Sequence, residues 1–297
     1  MTTERPIHLL PTTSRVHAPE LEALHPSGLI VACDFYVEGI ERGEEVVGGY
    51  RMGRILNLDH HAPTPRMARP ISSTNLALEW VAAGGARGEE AVVLLNHTDC
   101  DSVLSGAIAA GRLPLDPAFG EAAIAADHTG EQNPVADLLQ ALDRGHDLEF
   151  ALKSLDALLS GRALEGAAAD ALERRRRERG AAEALVEGGR FERAGKLAFA
   201  ILEAPVPGEF FPALLPDAAV ILTTSPLRRR PGYWQVRLRL GRAAPAGLTL
   251  ERLEIGRFDP HYGGRWNAGS NRRAGGTGIE PQRYAELLAE RLGVVGL

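Results

Sequence analysis

Short apolar runs recur through the first half of the chain, and each stops at acidic or imidazole residues. Gly28-Leu29-Ile30-Val31-Ala32-Cys33 ends in Asp34, Arg54-Ile55-Leu56-Asn57-Leu58 ends in Asp59-His60-His61, and Ala91-Val92-Val93-Leu94-Leu95 is followed by His97-Thr98-Asp99-Cys100-Asp101. Runs of this length read as strands buried on both faces. Between the second and third, Pro63, Pro65 and Pro70 mark a loop, and Ser72-Ser73-Thr74 caps a helix that runs to about Ala83 and stops at Gly84-Gly85. A small-residue helix from about Ser102 to Gly111 follows the third strand. This rhythm predicts an α/β fold, a parallel sheet with helices on both faces.

Phe119 to Ala126 forms another short apolar run, stopping at Asp127-His128-Thr129-Gly130, and reads as a fourth acid-ended strand. Residues 134 to 189 carry helical periodicity, and the run Arg174 to Arg177 wraps around its helix rather than lining one face, which reads as a solvated connector, with contact to an anionic substrate as the alternative. Past Gly188-Gly189 the pattern turns to strands: Lys196 to Leu202, Ala219 to Thr223 and Tyr233 to Leu240. In the last, Trp234, Val236, Leu238 and Leu240 alternate with Gln235, Arg237 and Arg239. A final helix spans about Pro281 to Leu292. The predicted organisation is an α/β domain over 1–155, a helical linker over 156–190, and a smaller α+β domain over 191–297.

Composition narrows the function. With 297 residues, 44% hydrophobic and 24% charged, the chain has a globular profile, and no apolar run approaches the roughly 20 residues that span a bilayer. Met1 to Pro6 lacks the apolar core of a signal peptide, so no membrane partner and a cytoplasmic location are expected. The net charge of −6 argues against long duplex DNA as a partner. Lys153 and Lys196 are the only lysines, so arginine is the chain's ordinary cation and no arginine marks a phosphate site by type alone. Two cysteines, Cys33 and Cys100, make neither a disulfide framework nor a four-cysteine zinc site.

The ends of the apolar runs lie where open α/β sheets build their sites. If the extended chain continues past Leu95, a period of two sends His97, Asp99 and Asp101 to one face and Thr98 and Cys100 to the other. Oxygen-rich donors with a few imidazoles suit Mn²⁺ or Mg²⁺ better than zinc. Asp34, Asp59, His60, His97, Asp99, Asp101 and Asp127 are too many ligands for one ion, and clustered carboxylates repel unless cations neutralise them. Two divalent cations sharing a carboxylate and activating a water are therefore expected.

These residues resemble the DHH phosphoesterase superfamily, which includes single-strand exonucleases, nanoRNA and dinucleotide hydrolases, and manganese-type pyrophosphatases and exopolyphosphatases. Asp59-His60-His61 matches the name-giving triplet, His97-x-Asp99-x-Asp101-x-x-x-Ser105 looks like the first motif, Asp34 the second, and Asp127-His128-Thr129-Gly130 the fourth. The resemblance implies that His60 ligates metal, that His61 faces the substrate phosphate, and that Asp59 binds or orients from close range. His261-Tyr262-Gly263-Gly264-Arg265-Trp266-Asn267-Ala268-Gly269 is similar to the glycine-rich substrate-gripping turn of the associated DHHA1 domain. It implies substrate-binding roles for His261, Gly263, Gly264, Arg265 and Asn267, a catalytic share for Arg265, and a stacking surface at Trp266 or Tyr262. Arg265 stands where relatives carry histidine. The motif order also looks circularly permuted, with the Asp-x-Asp run third instead of first, which leaves the substrate open.

The expected function is hydrolysis of a small phosphorylated substrate, such as a short single-stranded oligonucleotide, a dinucleotide or a nucleoside bisphosphate. Phosphoanhydride hydrolysis of pyrophosphate or polyphosphate is the alternative, as is a nucleotide sensor without turnover. Homodimerisation is left open.

Overall fold

The computed structural model describes residues 4–11, 16–61, 70–85 and 89–297. The predicted loop prolines Pro63 and Pro65 lie outside them, while Pro70 lies within. The chain divides into two compact units: Met1–Asp127 with Gln132–Arg175, and His128–Glu131 with Arg176–Leu297.

The first unit contains β1 (Ile7–Leu9), β2 (Val16–His17), α1 (Ala18–Leu24), β3 (Leu29–Cys33), β4 (Val37–Glu38), β5 (Glu44–Val46), β6 (Gly49–Met52) and β7 (Ile55–Leu58). Then follow α2 (Ser73–Ala82), β8 (Ala91–Leu95), α3 (Cys100–Ala109), α4 (Pro117–Ile124), α5 (Pro134–Leu142) and α6 (Leu148–Leu159), and α7 (Gly166–Glu187) carries the chain into the second unit. The main sheet has the order β1-β8-β3-β7-β6-β5. Its four strands β1, β8, β3 and β7 are parallel, whereas β6 and β5 are antiparallel, so the sheet is mixed. The polar, glycine-containing stretch around Gly48-Gly49 turns a hairpin that a search for long apolar runs passes over.

β3 shows how alternation places the core. Leu29, Val31 and Cys33 pack with Leu56, Leu58, Val93 and Leu95 against residues of α2 to α6, among them Ala77, Val103 and Leu155. Ile30 and Ala32 point the other way, into a cluster with Leu21, Phe35, Val37 and Ile40. Among the described residues, that second face carries the short α1 together with the β2–β4 pair and a 3-10 turn at Ile40–Arg42 and no further helix. The predicted strand before Asp127 is also corrected: Phe119 and its neighbours form α4, which opens on the Asp116 cap and Pro117, and Ala125–Thr129 continues as one π-helical turn. Pro at the first helical position and an Asp cap outweigh the apolar run.

The second unit holds β9 (Glu192–Ala194), β10 (Leu197–Ile201), α8 (Phe211–Leu214), β11 (Val220–Pro226), β12 (Trp234–Leu240), β13 (Gly263–Gly264), β14 (Ala268–Ser270) and α9 (Pro281–Val294). Its sheet runs β13-β14-β12-β11-β10-β9, with only β10 and β11 parallel among neighbours. The arginine run is only partly solvated. Arg175 and Arg179, one turn apart, are buried: Arg175 lies 3.7 Å from Asp137, and Arg179 donates to the Gly130 carbonyl while its guanidinium stacks on Phe210. Among the described residues no helix is long and apolar enough to cross a membrane.

Candidate metal centre

β8, β3 and β7 lie side by side and parallel, so their C-terminal ends open on one edge of the first unit. Asp34 is the first residue past β3 and adopts φ 61°, a left-handed conformation that Asp tolerates better than most residues. Its backbone N–H remains tied to the Leu58 carbonyl at 3.0 Å, so the reversal occurs at the strand end itself.

The Asp34 carboxylate, 1% exposed, faces two histidine groups at once. Oδ1 lies 3.7 Å from His60 Nε2 and 3.8 Å from His61 Nδ1, while Oδ2 lies 3.0 Å from His97 Nε2. His97 Nε2 is also 3.4 Å from Asp99 Oδ2, completing one donor group of Asp34, His97 and Asp99. The second group joins His60 to Asp101 at 3.6 Å and to Asp127 at 3.2 Å.

Asp99 and Asp101 therefore serve different groups. The expectation that His97, Asp99 and Asp101 share one face of an extended strand is overturned, because Asp99 caps α3 and Asp101 lies in its first turn. The Asp99 carboxylate accepts the Ser102 N–H at 3.0 Å, and the chain turns helical there. Asp127 comes from the π-helical turn after α4 rather than from a strand.

The triplet at the end of β7 divides its work. His60 joins the second donor group. His61 Nδ1 pairs with Asp59 Oδ1 at 2.7 Å, and the His60 and His61 rings lie 4.2 Å apart. A third donor group joins Asp34 to His60 and His61; Asp59 stands outside all three, and its buried Oδ2 has no hydrogen-bond partner among the described residues.

Electrostatics explain why so many acids tolerate burial together. Burial, then the charges of Asp101 and Asp99, push the Asp34 carboxyl well above its ordinary range despite His97. Asp101 is raised by burial first, against the pull of His60. Burial alone would lower both histidines, yet the carboxylates win: the hydrogen bond to Asp127 and the charges of Asp101, Asp127 and Asp34 push His60 up to about 10. The Asp99 charge and the contacts with Asp34 push His97 up to about 12. Protons on imidazole thus do in the metal-free protein what cations do better. Burial holds Cys33 and Cys100 as thiols, so neither is prepared to ligate.

A divalent cation fits this donor set. Carboxylate oxygens outnumber imidazole nitrogens, the ligating atoms of each group lie within 4.8 Å of one another, and Asp34 Oδ2 is buried without a well-aligned hydrogen bond.

Several supporting residues escaped the sequence reading. Ser73 donates its hydroxyl to Asp34 Oδ1 at 2.9 Å, accepts the His60 N–H at 3.2 Å, and gives its own N–H to Asp101 at 2.7 Å. Thr74 donates both its N–H and its hydroxyl to Asp101, at 2.7 and 2.6 Å. The N-terminal donors of α2 are thus satisfied by Asp101. His97 Nδ1 donates to Asn96 Oδ1 at 2.6 Å, leaving Nε2 for the carboxylates. A signal was present: Ser72-Ser73-Thr74 holds three hydroxyls where a cap needs only Ser72.

The predicted substrate-binding residues belong to the second unit. His261, Gly263, Gly264 and Arg265 line one cavity of about 710 Å³ beside the β13–β14 hairpin, whose strands approach so closely that a side chain on Gly264 would meet Gly269 Cα at 2.3 Å. Asn267 is not among the cavity's lining; it is buried, 3.3 Å from His128 Nδ1. Trp266 is 5% exposed with its ring beside His128, so it offers no open face for stacking a base, while Tyr262 is half-buried with its hydroxyl inward.

No protein-family model and no curated protein matches the chain. Among solved structures it is similar to the pGpG-specific phosphodiesterase PggH from Vibrio cholerae, at 12% identity over 83% of this chain and 82% of that one, with a TM-score of 0.48. It is also similar to the exonuclease RecJ bound to manganese, at 14% identity over 96% and 80% of the two chains, with a TM-score of 0.38.

Proposed function

We propose that the chain is a phosphoesterase that uses two divalent cations, Mn²⁺ or Mg²⁺, to hydrolyse a small phosphorylated substrate. The observation that carries this reading is Asp34, whose two carboxylate oxygens face separate histidine and carboxylate groups. Asp34, His97 and Asp99 would hold one cation, and Asp34, His60, Asp101 and Asp127 the other. Bound there, such cations lower the pKa of water and offset phosphoryl charge.

The remaining chemistry belongs to side chains. Asp59 holds His61 by Nδ1. That contact fixes the ring's orientation, as is needed of an imidazole that neutralises a phosphoryl oxygen or protonates a leaving oxygen. The side chain of His61 is 19% exposed, against 1% for His60, which matches a substrate role for the former and a ligand role for the latter. Arg265, with His261 and the Gly263-Gly264 backbone, would bind anionic groups in the second unit's own cavity.

Protein stripped of metal and resupplied with Mn²⁺ tests the reading against a panel of diadenylate, short RNA, adenosine 3′,5′-bisphosphate and pyrophosphate. Release of mononucleotide or phosphate from the nucleotide members is expected. Turnover of pyrophosphate alone would redirect the assignment to phosphoanhydrides, and silence with metal bound would overturn catalysis.

A further inference from the structure

The strand that leads to Asp59 carries one polar residue inside its apolar run, Asn57, and the structure buries it to 2% exposure. Asn57 pairs in register with Ala32 of β3 and, two residues on from Ile55, faces the cluster that holds Ile55, Phe35 and Val37. An amide placed there is unfavourable unless its polar atoms are paired. Its Nδ2 donates to the Ala32 carbonyl at 3.1 Å and to the Phe35 carbonyl at 2.8 Å, and its Oδ1 accepts the Val37 N–H at 3.1 Å.

These three partners bracket Asp34 without including it. Within the bracket Asp34 holds φ 61°, a conformation that is unfavourable for a residue with a side chain and persists where its surroundings over-determine it. Two consecutive residues of β7 do so: Leu58 takes the Asp34 N–H on its carbonyl at 3.0 Å, and the Asn57 amide ties down the chain on either side. The backbone at Asp34 sets the direction in which its carboxylate leaves the chain, with Oδ1 3.7 Å from His60 Nε2 and Oδ2 3.0 Å from His97 Nε2. Ser73 holds that carboxylate directly, whereas Asn57 holds the backbone from which it springs.

We infer that Asn57 is a positioning residue for the metal centre: its amide locks the reversal from Ala32 to Val37 so that Asp34 turns one carboxylate oxygen to His60 and the other to His97. The task requires two donors and an acceptor on one short side chain, which asparagine supplies. Leucine has similar bulk and suits the apolar face, yet it leaves two carbonyls and one N–H without the amide. The inference rests on the cation-binding reading of Asp34 and adds to it a residue outside the donor groups.

Calorimetric titration of the metal-stripped full chain with Mn²⁺, at a temperature where circular dichroism shows each variant folded, tests it with Asn57→Leu beside Leu29→Ala. Leu29 packs in the core at the opposite end of β3, so its truncation lowers stability while leaving the turn at Asp34 alone. Asn57→Leu is expected to bind Mn²⁺ about 10- to 100-fold more weakly than wild type, and Leu29→Ala to stay within about twofold of it. Should Asn57→Leu fail to fold, Asn57→Ser, shorter and with a single donor, carries the same expectation. Wild-type affinity in a folded Asn57 variant, or an equal loss in Leu29→Ala, overturns the inference and makes Asn57 an ordinary structural residue. Weakened Mn²⁺ binding in the Asn57 variant, beside a wild type that binds Mn²⁺ and hydrolyses nothing, would overturn the hydrolase reading and leave the role of Asn57 standing.

Discussion

Ser73 donates its hydroxyl to Asp34 Oδ1 at 2.9 Å, and through that bond the first turn of α2 is fastened to the carboxylate that faces His60 and His97 on its two oxygens. Because Ser73 also receives the His60 N–H and gives its own N–H to Asp101, one buried serine aligns ligands from three separate segments. Ser73→Ala is expected to keep the fold and to weaken Mn²⁺ binding about 10- to 100-fold, the range for losing a group that orients ligands. Calorimetry of the metal-stripped variant checks it, and wild-type affinity would show that Ser73 merely fills space.

Metal loading should release protons. In the metal-free protein His60 is raised to about 10 and His97 to about 12, so both are protonated at neutral pH and must give up protons to ligate. The sign follows: their ion pairs stabilise the metal-free fold fully below the unfolded value near 6.5 and lose that contribution as pH rises through the raised values. Mn²⁺ affinity should therefore climb with pH. Titration in buffers of different ionisation enthalpy measures the protons released, and binding heats independent of buffer would contradict the prediction.

His61 and His60 should respond differently. His61→Gln is expected to keep both cations and to lower turnover by about 10²- to 10⁴-fold, the usual share of an acid-base group. His60→Gln should lose a cation as well as activity. Metal analysis beside kinetics separates them, and loss of a cation from His61→Gln would make His61 a ligand.

Asp101 has a structural debt as well as a ligand's role. In Asp101→Ala the Ser73 and Thr74 N–H groups lose their acceptor at a fully buried helix end, while the Thr74 hydroxyl keeps the backbone carbonyl at 3.3 Å. Each buried orphan costs roughly 1–3 kcal/mol, against which the relief of removing a buried charge works. The metal-free variant should melt several degrees lower, and an unchanged melting temperature would mean that water or another group serves α2.

Much of this site was legible in the sequence because buried parallel strands announce themselves as uninterrupted apolar runs. β3, β7 and β8 fall within a residue or two of their predicted bounds. The residues at their ends could be named at once. What could not be read was local conformation past Leu95, where an Asp cap converts an extended expectation into a helix and sends Asp99 and Asp101 to different groups. Asp127 falls within a donor group yet sits on a π-helical turn where a strand was expected, since four apolar residues before an acid look alike in a strand and in a helix. Ser73 was invisible as such, because serine suits any cap.

The central claim is that Asp34 joins two cation sites. Electron paramagnetic resonance of the metal-stripped protein titrated with Mn²⁺ tests it most directly, beside the Asp34→Ala variant. The account predicts two Mn²⁺ per chain with the exchange-coupled signal of a neighbouring pair, and loss of that coupling in Asp34→Ala. One Mn²⁺ per chain, or two that give only isolated-ion signals in the wild type, would contradict it.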